Sequence, residues 1–356
     1  LDSDFTNLLD FYGNQDNASS VALQGNDKII VGGTTYTGEP NYYLKGTVVR
    51  LNNNGTLDDT FGTGGKVELD MGVPLSSGND RREIYRVKIQ NNGKILAGGR
   101  ISTNGSDYDI GVSRFLYDGD IDDTFNITGS FSFVSYDKPK GFGMAIAPEG
   151  KIVISSGNEN NNFFTARLAM EDPTGDGTST NPYQISTMKD LYWLSVNKSE
   201  YSYFNNYFKQ MNDIDASETT NWNLGEGWTP IGNFSTYFEA SYDGNEFAIS
   251  NLYINNDNTD DTYLGFFGYI SDGSTVKNLK LINIDYTAHE SAYIGGIAGS
   301  YYSENYMENC FATGSITGGY AVGGLTGVAV NIKNCFSSVI VNSDQTAGGL
   351  CGSIIS

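Results

Sequence analysis

Histidine occurs once in the 356 residues and cysteine three times. One imidazole cannot build a zinc site of tetrahedral nitrogen ligands without cysteine help, and an odd cysteine count argues against a disulfide framework. Basic residues are scarce as well, 21 against 42 acidic ones, for a net charge of −21. Such a chain repels nucleic acid and anionic membrane surfaces. No apolar run approaches the roughly 18 residues that a membrane-spanning helix needs. Proline is rare at 7, whereas glycine reaches 44, which suits an all-β chain with many tight turns. Disorder is the competing reading of so much acid, but 24 Tyr and 19 Phe supply core material and argue for folded structure.

What the chain does contain is repetition. Ile294-Gly-Gly-Ile-Ala-Gly299 returns as Val322-Gly-Gly-Leu-Thr-Gly327 and as Ala347-Gly-Gly-Leu-Cys-Gly352, in steps of 28 and 25 residues. Between the copies stand Glu308-Asn-Cys-Phe311 and Lys333-Asn-Cys-Phe336, and Leu264-Gly-Phe-Phe-Gly268 and Lys277-Asn-Leu-Lys-Leu281 are degenerate earlier copies. A period of about 20–50 residues marks a solenoid, propeller or array. With β-formers and no helical spacing, each repeat is expected to be a coil of short strands. The Gly pairs would mark corners with little room for side chains. Asn278, Asn309 and Asn334 would stack as a hydrogen-bonding ladder, and Cys310 and Cys335 would stack inward, about 4.8 Å apart, on neighbouring rungs. That spacing is within disulfide range, but strand neighbours have poor geometry for the bond, so free thiols acting as small hydrophobes are the expectation.

A different repeat occupies the first half. Asn26-Asp-Lys-Ile-Ile-Val-Gly-Gly33 recurs as Asn92-Gly-Lys-Ile-Leu-Ala-Gly-Gly99 and, more loosely, as Glu149-Gly-Lys-Ile-Val-Ile-Ser-Ser156. Each is followed by an Arg in an apolar strand (Arg50, Arg114, Arg167), and the first two close with Leu57-Asp-Asp-Thr-Phe61 and Ile121-Asp-Asp-Thr-Phe125. The first phrase predicts a tight turn entering a buried strand that the Gly pair ends. The last predicts a turn in which Asp oxygens take backbone N–H groups and Phe anchors the loop. Four strands fit each unit, one propeller blade per repeat. These phrases resemble the bacterial delta-60 repeat over residues 1 to about 170, and the resemblance implies propeller-like blades. Leu1-Asp-Ser-Asp-Phe5 matches the tail of one more copy, so a processed chain or a fragment is expected. With three such units the expectation is a truncated propeller or an open array.

A turn-rich linker over 171–182 precedes Ser186 and Thr187, either of which can cap a short helix carrying Met188, Leu191 and Leu194. Set just before the solenoid, that helix would cover its first open edge. Asp243-Gly244 signals a hairpin or corner. From Gly177 onward, Pro182-Tyr-Gln-Ile-Ser-Thr187, Met211-Asn-Asp-Ile-Asp215, Ile249-Ser-Asn-Leu252 and the three Gly-Gly phrases resemble the GLUG-motif proteins of bacterial surfaces. That resemblance implies a right-handed parallel β-helix-like solenoid in an exported adhesin or surface module. It also predicts that residues 183–356 stop inside a repeat. Type 9 secretion would suit such a protein.

GLUG motifs also occur in zinc metallopeptidases, whose His-Glu-x-x-His would bind the metal from a helix. Here the only counterpart is His289-Glu-Ser-Ala-Tyr293, with Tyr in place of the second ligand. No catalytic constellation or cofactor is expected. Asp118–Asp123, Asp172 with Asp176, and above all Asp257, Asp260 and Asp261 offer hard oxygens, so calcium is considered there. Tyr301, Tyr302 and Tyr306, expected in a loop between rungs, are candidate platforms for a sugar ring or a protein partner, as are Tyr192-Trp193 and Tyr201–Phe208 near the cap. The alternative is that these rings pack the cap and the seam between domains.

The reading is therefore all-β: propeller-type blades over 1–170, then a solenoid over 183–356. The expected role is a non-enzymatic, extracellular bacterial surface protein that meets a surface glycan, a protein ligand or the export machinery. Two alternatives remain open, a carbohydrate-active β-helix enzyme with its site in 190–290 and a structural spacer.

Overall fold

The computed structural model describes residues 9–13, 15–37, 44–69, 80–102, 108–122, 125, 130–133, 139–147, 150–157, 163–168, 172–197 and 206–354. The Leu1–Phe5 phrase, Asp123 and the stretch 201–205 of the cap aromatics lie outside them. The chain divides into two compact units, Leu1–Ala169 and Met170–Ser356.

The first unit consists of antiparallel meanders. β1 (Asp16–Gln24), β2 (Lys28–Tyr36), β3 (Leu44–Leu51) and β4 (Lys66–Leu69) pair in sequence order. So do β5 (Arg81–Ile89), β6 (Ile95–Ser102), β7 (Asp109–Phe115) and β8 (Ser130–Phe133). A parallel pair, Leu44 with Arg81, joins these two meanders into one sheet, and β9 (Lys140–Ile146), β10 (Ile152–Gly157) and β11 (Phe163–Leu168) form a second. Ile30 and Val48 of the first blade pack with Ile84, Val87 and Ile95 of the second in one buried cluster. Leu96, Ile110 and Val112 of the second pack with Phe142, Met144 and Ile154 of the third.

In each of the first two blades the recurring phrases converge on one carboxylate. Asp58 Oδ2 pairs with Arg50 Nε at 2.8 Å and with Lys28 Nζ at 2.9 Å, while Oδ1 accepts the Thr60 hydroxyl at 2.7 Å and the Thr60 N–H at 3.2 Å. The guanidinium of Arg50 lies over the Phe61 ring, 4.9 Å from its centre. In the second blade Asp122 takes Arg114 at 2.6 Å and Lys94 at 3.0 Å, and Arg114 lies over Phe125 at 4.7 Å. Three phrases separated along the chain are thus one buried knot: turn lysine, strand arginine, and the aspartate of the closing turn. Burial alone would raise the Asp58 pKa, but the bonds from Thr60 and Lys28 and the charge of Arg50 outweigh it and hold this carboxyl well below the usual range.

The Gly pair does not end its strand. Gly32-Gly33 lies inside β2 and Gly98-Gly99 inside β6, opposite places where the partner strand carries an extra residue, Ala18/Ser20 and Ile84/Arg86. There the bulged backbone crowds in. A Cβ at Gly33 would overlap the carbonyl oxygen of Asn17, and one at Gly99 that of Glu83. The glycines make room for a β-bulge, which sharpens the local twist.

The second unit winds parallel strands into four stacked faces. The first face stacks Tyr183–Ile185, Tyr207–Gln210, Ser241–Asp243, Thr275–Lys277, Met307–Glu308 and Ile332–Lys333. The second runs from Ile214–Asp215 through Ala248–Ser250, Lys280–Ala288 and Phe311–Gly318 to Phe336–Asn342. The third holds Tyr263–Leu264, Tyr293–Gly295, Ala321–Gly323 and Thr346–Gly348, and the fourth Phe267–Ile270, Ala298–Tyr301, Thr326–Ala329 and Cys351–Ile354. These registers align the degenerate copies with the full ones, Leu264 on Ile294 on Val322 on Ala347.

Each corner has its own chemistry. Between the first two faces Asn278, Asn309 and Asn334 all adopt left-handed φ of 53–56°, a conformation Asn tolerates. Asn309 donates to Asn278 Oδ1 at 3.2 Å and Asn278 to Asp243 Oδ1 at 2.8 Å. A second ladder within the second face runs from Asn283 to Asn251 to Asp215. Asp243-Gly244 opens a corner between faces, not a hairpin, with Asn245 and Glu246 carrying the positive φ. At the third corner the Gly pairs have ordinary φ, so close approach is the constraint: a Cβ at Gly323 would overlap the Thr326 oxygen.

The helix α1 (Met188–Val196) starts at Thr187, whose hydroxyl accepts from Asp190 N while Asp190 reaches back to the Thr187 N–H, a capping box. It follows the first strand of the stack instead of preceding the stack. Leu191, Tyr192, Trp193 and Leu194 are buried in the solenoid core, with Tyr192 edge-on to Trp222 and Trp193 against Tyr183. The core is aromatic at this end, where Trp222, Trp228, Phe266 and Tyr242 meet.

Candidate functional site

Tyr301, Tyr302 and Tyr306 do not form one platform. Tyr301 is fully buried: it closes a strand of the fourth face, pairs in register with Ile270 and Ala329, and donates to the Asn305 carbonyl at 3.1 Å. Its ring lies in the solenoid core, as do those of Tyr242 and Tyr286. Tyr302 and Tyr306 are exposed, and the Lys333 ammonium lies 5.8 Å from the centre of the Tyr306 ring. Near the cap, Tyr192, Trp193 and Phe208 are core residues.

Asp257, Asp260 and Asp261 occupy a loop held by asparagine amides. Asp261 Oδ2 accepts from Asn256 at 2.9 Å and Asn258 at 3.4 Å, and the Asp260 N–H donates to Asn258 Oδ1. His289 reaches the Asp261 carbonyl oxygen at 3.0 Å. Among the described residues no group of three or more His, Cys, Asp or Glu side chains is gathered so as to hold a metal ion.

Cys310 and Cys335 do stack on neighbouring rungs, as free thiols, with the Cys310 N–H 3.3 Å from the Cys335 sulfur. The hydrogen bond from the Cys310 thiol, against the opposing effect of burial, brings the Cys335 pKa down to about 7. The same bond and burial push Cys310 up. Thiolate is the alkylating form. Peptide-resolved iodoacetamide labelling is therefore expected to show Cys335 reacting with a pH midpoint near 7, while Cys310 stays protected until the chain unfolds. Equal rates at the two cysteines would contradict this geometry.

The aromatic surface lies elsewhere, on the third face and beside it. Phe234, Tyr263 and Tyr293 stack along the solenoid axis, with centroids 6.3 and 5.3 Å apart and planes 18° and 21° from parallel. Tyr320 meets Tyr293 edge-on at 5.6 Å. Tyr269 meets Phe234 and Tyr263 edge-on, and Tyr237 packs against both Phe234 and Tyr269. Tyr302 donates its N–H to the carbonyl of Ile270, the neighbour of Tyr269, at 2.9 Å. Phe234 is 61% and Tyr320 50% exposed. The row is a continuous strip of ring edges and hydroxyls that crosses several rungs. Of the sequence candidates only Tyr302 belongs beside it. A signal was present: Tyr263 and Tyr293 each stand one residue before a copy of the Gly phrase.

The first face is polar. Its register sets Lys209 beside Asp243, Lys277, Glu308 and Lys333 in turn, a column of alternating charge. Asp243 pairs with Lys277 at 3.4 Å and Glu308 with Lys333 at 2.8 Å.

These observations define a repeat β-domain protein, with propeller-type antiparallel sheets in one unit and stacked parallel sheets, consistent with a β-solenoid, in the other. The family described as a domain of unknown function (DUF5122) beta-propeller matches residues 24–61 and 90–125, the phrases that build the first two aspartate knots. The chain is 32% identical over 162 residues, 44% of its length, to halomucin of Haloquadratum walsbyi. It is 35% identical over 130 residues, 36% of its length, to a protein of Evansella cellulosilytica named as a Gly-rich membrane protein. It spans only 2% and 14% of those two relatives. Among the described residues no helix is long and apolar enough to cross a membrane.

Proposed function

We propose that the chain is a non-enzymatic part of an exported bacterial surface protein, an adhesin or binding scaffold of the GLUG type whose solenoid presents a glycan-binding strip. The observation that carries this reading is the outward aromatic row from Phe234 through Tyr263 and Tyr293 to Tyr320. Tyrosine combines a broad apolar ring with a hydroxyl at little conformational cost, which suits the mixed faces of sugars. Strands stack about 4.8 Å apart, so the rings recur at a step comparable to the width of one pyranose. A sugar chain lying along the axis would meet ring after ring. The net charge of −21 disfavours polyanionic chains and leaves neutral glycans. Similarity to a relative named as a Gly-rich membrane protein agrees with a surface setting.

A glycan array and a cell-adhesion assay with the whole chain test the proposal. Neutral glycans are expected to bind, and Tyr263→Ala with Tyr293→Ala to weaken binding by about tenfold or more. Absence of any glycan or cell binding by the intact chain would count decisively against it.

A further inference from the structure

Beyond that strip, we propose that the first face of the solenoid carries a separate site for a single sugar residue bearing one carboxylate, a uronic acid. A groove of about 420 Å³ lies there, within the size range of small-ligand sites. Its floor is two outward columns in strict register across three rungs: the hydroxyls of Tyr207, Ser241 and Thr275, and the charges of Lys209, Asp243 and Lys277.

The wall is the turn that carries Ser179, Thr180 and Pro182, and this turn is fixed from within. Asp176 Oδ1 accepts the Thr178 N–H at 3.0 Å and its hydroxyl at 2.7 Å, and Tyr207 donates its N–H to the Gly177 carbonyl at 2.8 Å. Gly175 and Gly177, both at positive φ, press so closely on the Pro182 carbonyl and the Tyr183 ring that no side chain fits. The groove is therefore preformed, which lowers the ordering cost of binding.

The charge count selects the ligand. Asp243 is committed to its own neighbours: Lys277 at 3.4 Å, the Asn245 N–H at 2.9 Å and Asn278 at 2.8 Å. Lys209 has no acidic partner among the described residues, although its strand lies beside that of Asp243. The groove thus holds one uncompensated positive charge in a chain of net charge −21. One carboxylate satisfies it, and a polyanion meets repulsion from the rest of the surface. The hydroxyl column then answers the hydroxyls of a sugar, while Tyr207 and Pro182 supply apolar lining.

The test uses the whole chain with D-glucuronate, D-glucose and acetate as probes, read by calorimetry and by amide shifts at Lys209, Ser241 and Thr275. Glucuronate is expected to bind at least about tenfold more tightly than either glucose or acetate, because a charge-assisted hydrogen bond and the sugar hydroxyls act together. Lys209→Gln should bring glucuronate down to the level of glucose. Lys209→Arg should keep most of the affinity, and Tyr293→Ala should leave it unchanged, which separates this site from the aromatic strip. Equal affinity for glucuronate and glucose, no loss in Lys209→Gln, or no binding of glucuronate would each overturn the proposal.

Discussion

Replacing Asp58 by Asn is expected to remove about 3–5 kcal/mol from the stability of the blade unit, because it leaves the buried Arg50 guanidinium without its counter-charge. Arg50 is 2% exposed, and its other contacts, the Gln24 side-chain oxygen, the Thr60 hydroxyl, the Tyr117 carbonyl and the two rings of Phe61 and Tyr117, are all neutral. Among the described residues Lys28 keeps the Asn52 side-chain oxygen. Domains are stable by roughly 5–15 kcal/mol, so such a loss brings the unit near its threshold. The chain supplies its own control. All three tryptophans, Trp193, Trp222 and Trp228, lie in the second unit, so tryptophan fluorescence follows the solenoid while far-UV circular dichroism follows both. In Asp58→Asn the dichroism transition should split or shift to lower urea with the fluorescence transition unmoved. A shift below about 1 kcal/mol would mean that the knot is ornamental. The same carboxylate gives a pH signature. Its folded pKa lies below the unfolded one, so its contribution is complete above the ordinary carboxyl value of 3.8 and is lost as pH falls toward the folded pKa. Asp58→Asn should flatten acid sensitivity of the blades in that window.

The second large effect should come from the repeated Gly phrase. Gly323→Ala sets a methyl group into the Thr326 carbonyl and the backbone of the next rung at Cys351, and no flexible side chain is there to yield. The expected cost is about 3 kcal/mol, seen this time in the tryptophan transition. Gly349→Ala is the matched control. It occupies the second glycine of the last copy, with nothing within 4 Å of its would-be Cβ, and should be neutral within about 0.5 kcal/mol. If both substitutions cost the same, crowding is not what the glycines answer to.

Repeat boundaries, the helix and its Thr187 cap, the Asn corner and the knot turn at Asp58 were all legible in the sequence, because each rests on local chemistry or on exact recurrence. Four things were not. The Gly pair inside β2 and β6 read as a strand end, since a bulge belongs to the partner strand and leaves no mark on the glycines' own. Tyr301 read as surface because it stands between two repeat phrases, and its pairing with Ile270 and Ala329 belongs to the register of neighbouring rungs. The first-face column escaped because its members stand 34, 34, 31 and 25 residues apart. No fixed period links them, and only strand register brings them together. The Asp58 knot escaped for a related reason: each phrase was visible, and their convergence was not.

The alternating column on the first face has a consequence for how this solenoid can grow. Because plus and minus alternate from Lys209 to Lys333, the charge pattern repeats every two coils, while the backbone repeats every one. Excising the single coil that carries Glu308 would bring Lys277 against Lys333, a like-charge contact that disfavours the new pairing. Excising two would restore opposites. On this face coils are therefore interchangeable only in pairs: insertions or deletions of an even number keep the electrostatic match, and odd ones break it.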